Sequence, residues 1–105
     1  MQNKVFILFI FLSLFFLSST AYAISTSCTT TRILDGDTFH CLPAKAISNA
    51  KIHKDGTITV RLRGIDAPEK RQPYGIESQE SLKELIGRKT VKLEIKNIDR
   101  YGRVV

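Results

Sequence analysis

Three short runs carry the residues with chemistry in them: Asp35-Gly36-Asp37-Thr38, then Arg61-Leu62-Arg63-Gly64-Ile65-Asp66-Ala67-Pro68-Glu69, then Asp99-Arg100-Tyr101-Gly102-Arg103. Asp37 and Asp66 sit on different segments. If they converge they offer hard oxygen ligands, the kind Ca²⁺ takes. A weak, open site of this sort leaves room for a phosphate oxygen. Arg61 lies on a strand face with Thr59 and Arg63. A guanidinium gives planar, two-pronged contacts to phosphate and is always charged, and Arg103 could supply a second. Two arginines flanking a phosphodiester would stabilise the charge that builds in a pentacoordinate transition state. Glu69 follows Asp66 behind a proline-stiffened turn and could orient or deprotonate a water beside a metal. Tyr101, with Arg100 beside it, offers a ring and a charge to a nucleotide.

Each residue also has a plainer role open to it. An Asp beside Gly often caps its own turn, and Asp35 is read that way, whereas Asp37 stands between the two readings. Arg63 reads as a solvated strand residue, and Glu69 alone could be half of a surface ion pair. His40 and His53 are simplest as strand and turn residues. Two cysteines and two scattered histidines do not make a zinc site.

These runs need elements to position them. Residues 29–34 are β-branched and read as a strand, broken at Asp35-Gly36 and resumed over 37–42 as a hairpin. Residues 43–50 read as a loop, and Asp55-Gly56 as a turn with Ile52 in a short strand before it. Residues 57–65 alternate, with Ile58, Val60 and Leu62 on one face, as a half-buried strand requires. Pro68 and Pro73 forbid regular structure over 66–74. Residues 76–86 carry a helical stripe of Ile76, Leu82, Leu85 and Ile86, with Gly87 as the stop. Residues 90–96 alternate again, with Val91, Leu93 and Ile95 inward, and 97–103 form a turn-bearing loop. Val104-Val105 reads as the first step of another strand. The order is α+β and suits a small Greek-key barrel with one helix between strands three and four, the OB topology.

The first 23 residues read differently from the rest. Lys4 gives a positive start, residues 5–17 are apolar apart from Ser13, and Ala21-Tyr22-Ala23 ends the segment as a small-x-small cleavage site. That describes a secretory signal peptide, and the run is short for a membrane anchor. Residues 24–105 are then the domain, exported to the medium or the periplasm, with no stable membrane association after cleavage. Removing residues 1–23 leaves 82 of the 105 residues and takes away one lysine, so the net charge falls from +6 to +5. Positive charge on so small a domain favours a polyanionic partner through counterion release. An even cysteine count in an exported chain suggests a disulfide between Cys28 and Cys41, which flank the hairpin turn; two buried free thiols are the alternative.

In this order and spacing, with Tyr74-Gly75 between the second and third runs, the chain from about Thr31 to Val105 resembles the thermonuclease, or staphylococcal nuclease-like, family. The resemblance implies an OB-type barrel and a Ca²⁺-dependent endonuclease that cleaves DNA and RNA by water attack, leaving 3′-phosphates. It implies that Asp37 and Asp66 are the calcium carboxylates, with the Ala67 carbonyl as a further ligand where the family often has Thr. It makes Arg61 and Arg103 the phosphate-binding pair, Glu69 the general base and Tyr101 the nucleotide-contacting tyrosine. Nucleic acid, single-stranded by preference, is the implied partner of a monomer. Two departures are expected. The 43–50 loop is an excursion beyond compact family members. The family also continues past Val105 with the rest of a fifth strand and two helices, so Arg103 is expected on a frayed end and these 105 residues to be poorly folded and weakly active. Two further readings stand beside the enzyme: an OB module that binds single strands without chemistry, and an inert gene fragment.

Overall fold

The computed structural model describes residues 24–105. The signal-peptide reading of residues 1–23 lies outside the described residues. Four strands and one helix follow in the order β1 (Ile24–Asp35), β2 (Thr38–Pro43), β3 (Ile58–Arg61), α1 (Gly75–Ile86) and β4 (Thr90–Ile95). The strands form one antiparallel sheet in the order β3-β2-β1-β4. This is the α+β arrangement expected, with the helix between strands three and four.

β1 is twice the length that its β-branched stretch suggests. Its first half pairs residue by residue with β4, Ile24 opposite Ile95 through Thr29 opposite Thr90. Its second half pairs with β2, with bulges between Thr30 and Arg32 and between Ile33 and Asp35. The polar serines and threonines of residues 25–31 read as linker locally, yet Thr26, Cys28 and Thr30 are buried on one face while their neighbours face solvent. Pairing with β4 over its first half and with β2 from Cys28 onward makes this segment a strand; such bends in a central strand are how small sheets begin to close.

β3 is shorter than expected, ending at Arg61 rather than Ile65. Gly64 takes φ 78°, a left-handed conformation that glycine adopts without penalty, and the chain turns there. No strand forms around Ile52; residues 44–57 are a loop pinned at both ends. Ala44 N–H donates to the Ser27 carbonyl, and His53 N–H donates to the Thr57 carbonyl. Ile47 drops from this excursion into the core.

The core gathers Cys28, Phe39, Cys41, Ile58, Val60, Leu93, Ile95 and Val104, with Leu82 from the helix. Cys28 and Cys41 are bonded to one another across β1 and β2, with Cα atoms 5.6 Å apart. The helical stripe is narrower than its sequence suggests: Leu82 is buried and Ile86 half-buried, but Leu85 is 70% exposed and Ile76 57%. Only one side of α1 meets the sheet, so half of the stripe stays mostly exposed among the described residues.

Arg103 is not on a loose end. Val104 is 1% exposed and bridges two edges, running parallel to Val60 of β3 and antiparallel to Ile98 beyond β4. Val104 N–H donates to the Thr59 carbonyl and Arg61 N–H to the Val104 carbonyl, both at 2.8 Å. Lys96 N–H donates to the Val105 carbonyl and Val105 N–H to that of Asn97, both at 2.9 Å. Two residues thus join the free edge of β3 to the segment leaving β4, which turns an open sheet toward an OB-like closure.

Candidate functional site

The site begins at the β1–β2 turn. Gly36 is there because a side chain would not fit: a Cβ would collide with Ser78 Oγ and meet the Ala67 Cβ at 3.0 Å. This close approach presses the hairpin against both α1 and the loop after β3. It also delivers Asp37 to that loop, 6% exposed. Every side of the Asp37 carboxylate is used. Thr38 Oγ1 donates to Oδ1 at 2.7 Å, and Ala67 N–H donates to Oδ2 at 2.9 Å. Arg61 Nη2 lies 3.3 Å from Oδ2. Asp37 also gives its backbone carbonyl to Leu62 N–H at 2.8 Å. A buried carboxylate is tolerated only with such partners.

Arg61 is the hub. Its Nη1 donates to the Leu62 and Ile65 carbonyls at 2.7 and 2.6 Å. These two bonds wrap residues 62–65 around the guanidinium, which is why β3 stops at Arg61. Nη2 faces Asp37 and, at 3.6 Å, Asp66 Oδ1. The Asp66 side chain is fully exposed, at 100%. One guanidinium nitrogen therefore stands between a buried carboxylate and an open one.

Arg103 comes from the turn after β4. Asp99 holds it with both oxygens: Oδ1 accepts from the backbone N–H of Tyr101 and of Arg103, and Oδ2 lies 2.6 Å from Arg103 Nε. Burial opposes ionisation of Asp99, but the hydrogen bonds from Arg103 and from the Tyr101 N–H outweigh it and hold its carboxyl below the usual range. The excursion after β2 braces the turn, because Lys51 N–H donates to the Gly102 carbonyl at 2.9 Å. Tyr101 is stacked beneath two guanidinia, with Arg100 at 4.9 Å and Arg103 at 5.4 Å from its ring centre.

Arg61, Asp66 and Arg103 line one open cavity of about 390 Å³, together with Asp99, Arg63 and Val105. Asp37 lies directly behind Arg61. Ala67 touches Asp37 through its N–H; the structure gives its carbonyl no partner among the described residues. Glu69 and Tyr101 are exposed and are not part of the cavity lining. Glu69 is on the proline turn, with its N–H held by Gln72 Oε1 at 2.7 Å. That turn packs tightly, since a Cβ on Gly75 would strike the Glu69 carbonyl. Asp35 accepts from Lys70 N–H at 3.2 Å, so it clamps the same turn rather than merely closing its own.

Two residues of this site had no role assigned from sequence, Thr38 and Asp99. Both lie inside the motifs. Asp99 and Arg103 have the four-residue spacing of a local ion pair, and Thr38 follows directly on the acid it bonds. Those spacings were the available signal.

The donor set fits a hard cation. Asp37 and Asp66 are both hard oxygen donors that face the same Arg61 nitrogen, at 3.3 and 3.6 Å, and the Asp66 side chain is open to solvent. No group of three or more His, Cys, Asp or Glu side chains gathers among the described residues. A cation there would have two carboxylates, and backbone oxygen and water would have to complete its shell.

The family described as Staphylococcal nuclease homologue matches residues 59–105. An "Uncharacterized endonuclease" of Haemophilus influenzae is 37% identical over all 105 residues, covering 54% of that protein. The "Micrococcal nuclease" of Shigella flexneri is 40% identical over 74 residues, 70% of this chain and 37% of that one. The "Probable staphylococcal-like nuclease CAN3" of Oryza sativa subsp. japonica is 52% identical over 46 residues, 44% of this chain and 12% of that one. The chain thus spans about half the length, or less, of these relatives.

Proposed function

The chain belongs to the staphylococcal nuclease-like family, and from that premise we propose that its Arg61–Arg103 cavity hydrolyses phosphodiester bonds of DNA or RNA, with Ca²⁺ as cofactor and 3′-phosphates as products. The observation that carries the reading is one open cavity lined by Arg61, Asp66 and Arg103 from two separate runs, with Asp37 of a third run held against Arg61 from outside the lining.

In this reading Asp37 and Asp66 would hold the cation, with the Ala67 carbonyl turned to it. Bound Ca²⁺ would supply a positive charge that polarises the phosphoryl oxygen. Glu69 would orient a water and take its proton as the new P–O bond forms and the bond to the 5′ oxygen breaks; that oxygen takes a proton from solvent water, to which the cavity is open, and leaves as the 5′ hydroxyl. Arg61 and Arg103 would grip the phosphoryl oxygens and stabilise the charge that accumulates on them. Arg61 is suited to this because two carbonyls fix its plane in advance, and Arg103 because Asp99 does the same for it. The exposed Tyr101 ring would stack on a base, which favours single strands. A bonded Cys28–Cys41 pair supports folding in an oxidising compartment, outside the cell or in the periplasm. We take the working form to be a monomer.

Hydrolysis of heat-denatured DNA in Ca²⁺ or in chelator, beside Glu69→Gln, tests the reading. Cutting that needs Ca²⁺ and falls at least about 100-fold in the variant is expected. Salt-sensitive strand binding that ignores both Ca²⁺ and the substitution would replace the enzyme with a binding module.

A further inference from the structure

We propose that a second cavity, between β1 and the C-terminal end of α1, is a binding site for a phosphate oxyanion. It has a volume of about 280 Å³ and shares no residue with the Arg61 cavity. Arg32, Lys83 and Arg88 line it against one acid, Glu80. None of the three cations forms an ion pair among the described residues. A cavity lined by unpaired cations of this kind favours an anion.

Thr30 also lines this cavity. Thr30 is 3% exposed, and its buried Oγ1 has no hydrogen-bond partner among the described residues. Buried hydroxyls are almost always satisfied, so this one is waiting for an acceptor. Gln79, also in the lining, donates its amide nitrogen to the Ile33 carbonyl at 3.0 Å and makes no bond to Thr30. An oxyanion bound here would accept from the Arg32 and Arg88 guanidinia, with the Thr30 hydroxyl as a further donor once the cavity wall gives way to it.

The volume falls below the roughly 300–1,000 Å³ of pockets that take drug-sized ligands. No aromatic side chain among the described residues lines it, so they offer no stacking platform for a base. What remains is a phosphate group, either free or carried on a nucleic-acid strand. The site itself does not depend on the nuclease reading; only the strand as its source does.

The test is an NMR titration of the full chain with inorganic phosphate, at constant ionic strength against chloride. Saturable shifts centred on the amides of Thr30, Gly87 and Arg88 are expected. Thr30→Val and the double variant Arg32→Ala/Arg88→Ala should each weaken binding by about tenfold or more. Thr30→Val should keep the folded spectrum, because its hydroxyl has no protein partner to lose. A phosphorothioate single strand that displaces the phosphate identifies a strand as the source; one that does not identifies the free anion. Shifts scattered over surface lysines, or saturation unchanged in both variants, overturn the site. So does indifference to phosphate, the result if an ordered water satisfies Thr30. Cleavage is never read, so failure here is separate from failure of the nuclease reading.

Discussion

At the scale of single residues, the site depends on carboxylates that hold arginines. Asp37 and Asp99 play parallel parts: each spends one oxygen on backbone N–H or hydroxyl donors and turns the other to a guanidinium. Replacing Asp99 by Asn keeps the shape but loses the charge that fixes Arg103. We expect turnover to fall by about tenfold, with little change in the far-ultraviolet circular dichroism. The same acid sets a pH limit. Its folded carboxyl is held below the ordinary 3.8. The stability it contributes is therefore present above that value and is lost as pH falls below it. Thermal melts from pH 5 down to about 2.5 should show the parent losing its advantage over Asp99→Asn; a constant gap between the two would sink this assignment.

At the scale of elements, the hairpin turn does most of the positioning. Gly36 lets β1–β2 sit directly on Ser78 of α1 and on Ala67. Gly36→Ala should destabilise by about 1–3 kcal/mol through overpacking and reduce cleavage further than stability alone explains, since Asp37 moves with the turn. Urea melts and turnover, measured together, separate the two effects. On the hairpin's other side, His40 and His53 stack with ring centres 4.5 Å apart, and His53 Nε2 is 2.8 Å from Thr59 Oγ1. Burial lowers the His40 pKa below 6.5, helped by His53 and Arg32 and opposed by Asp55. His40 thus adds stability above pH 6.5 that is lost as pH falls below it. His40→Gln should flatten the melting temperature between pH 7 and about 5; an unchanged slope would show that the lowered His40 pKa does not govern stability in that range.

At the scale of the whole molecule, closure rests on Val104. It is fully buried and joins β3 to the segment after β4. Val104→Asp would bury a charge without a partner, and a loss above about 4 kcal/mol is expected. Small domains hold only about 5–15 kcal/mol in total, so the variant should be largely unfolded at 37 °C by circular dichroism. A cooperative melt close to that of the parent would show that the closure is dispensable.

The sequence by itself determined the local pieces: the Asp35-Gly36 break, the alternation of residues 58–61 and 90–95, the helix that stops at Gly87, and the three chemical runs. These were legible because period, turn chemistry and side-chain type are local properties. Tertiary structure alone decided the rest. Residues 24–28 are a strand only because β4 lies beside them. Leu85 carries the stripe pattern but stays mostly exposed. Arg61 ends its own strand because carbonyls further along the chain turn back to it. The seating of Asp37 against Arg61, and of Asp66 and Arg103 around that cavity, depends on the Gly36 contact and on the pairing of Val104. Both are interactions between residues far apart in sequence, which no local pattern encodes.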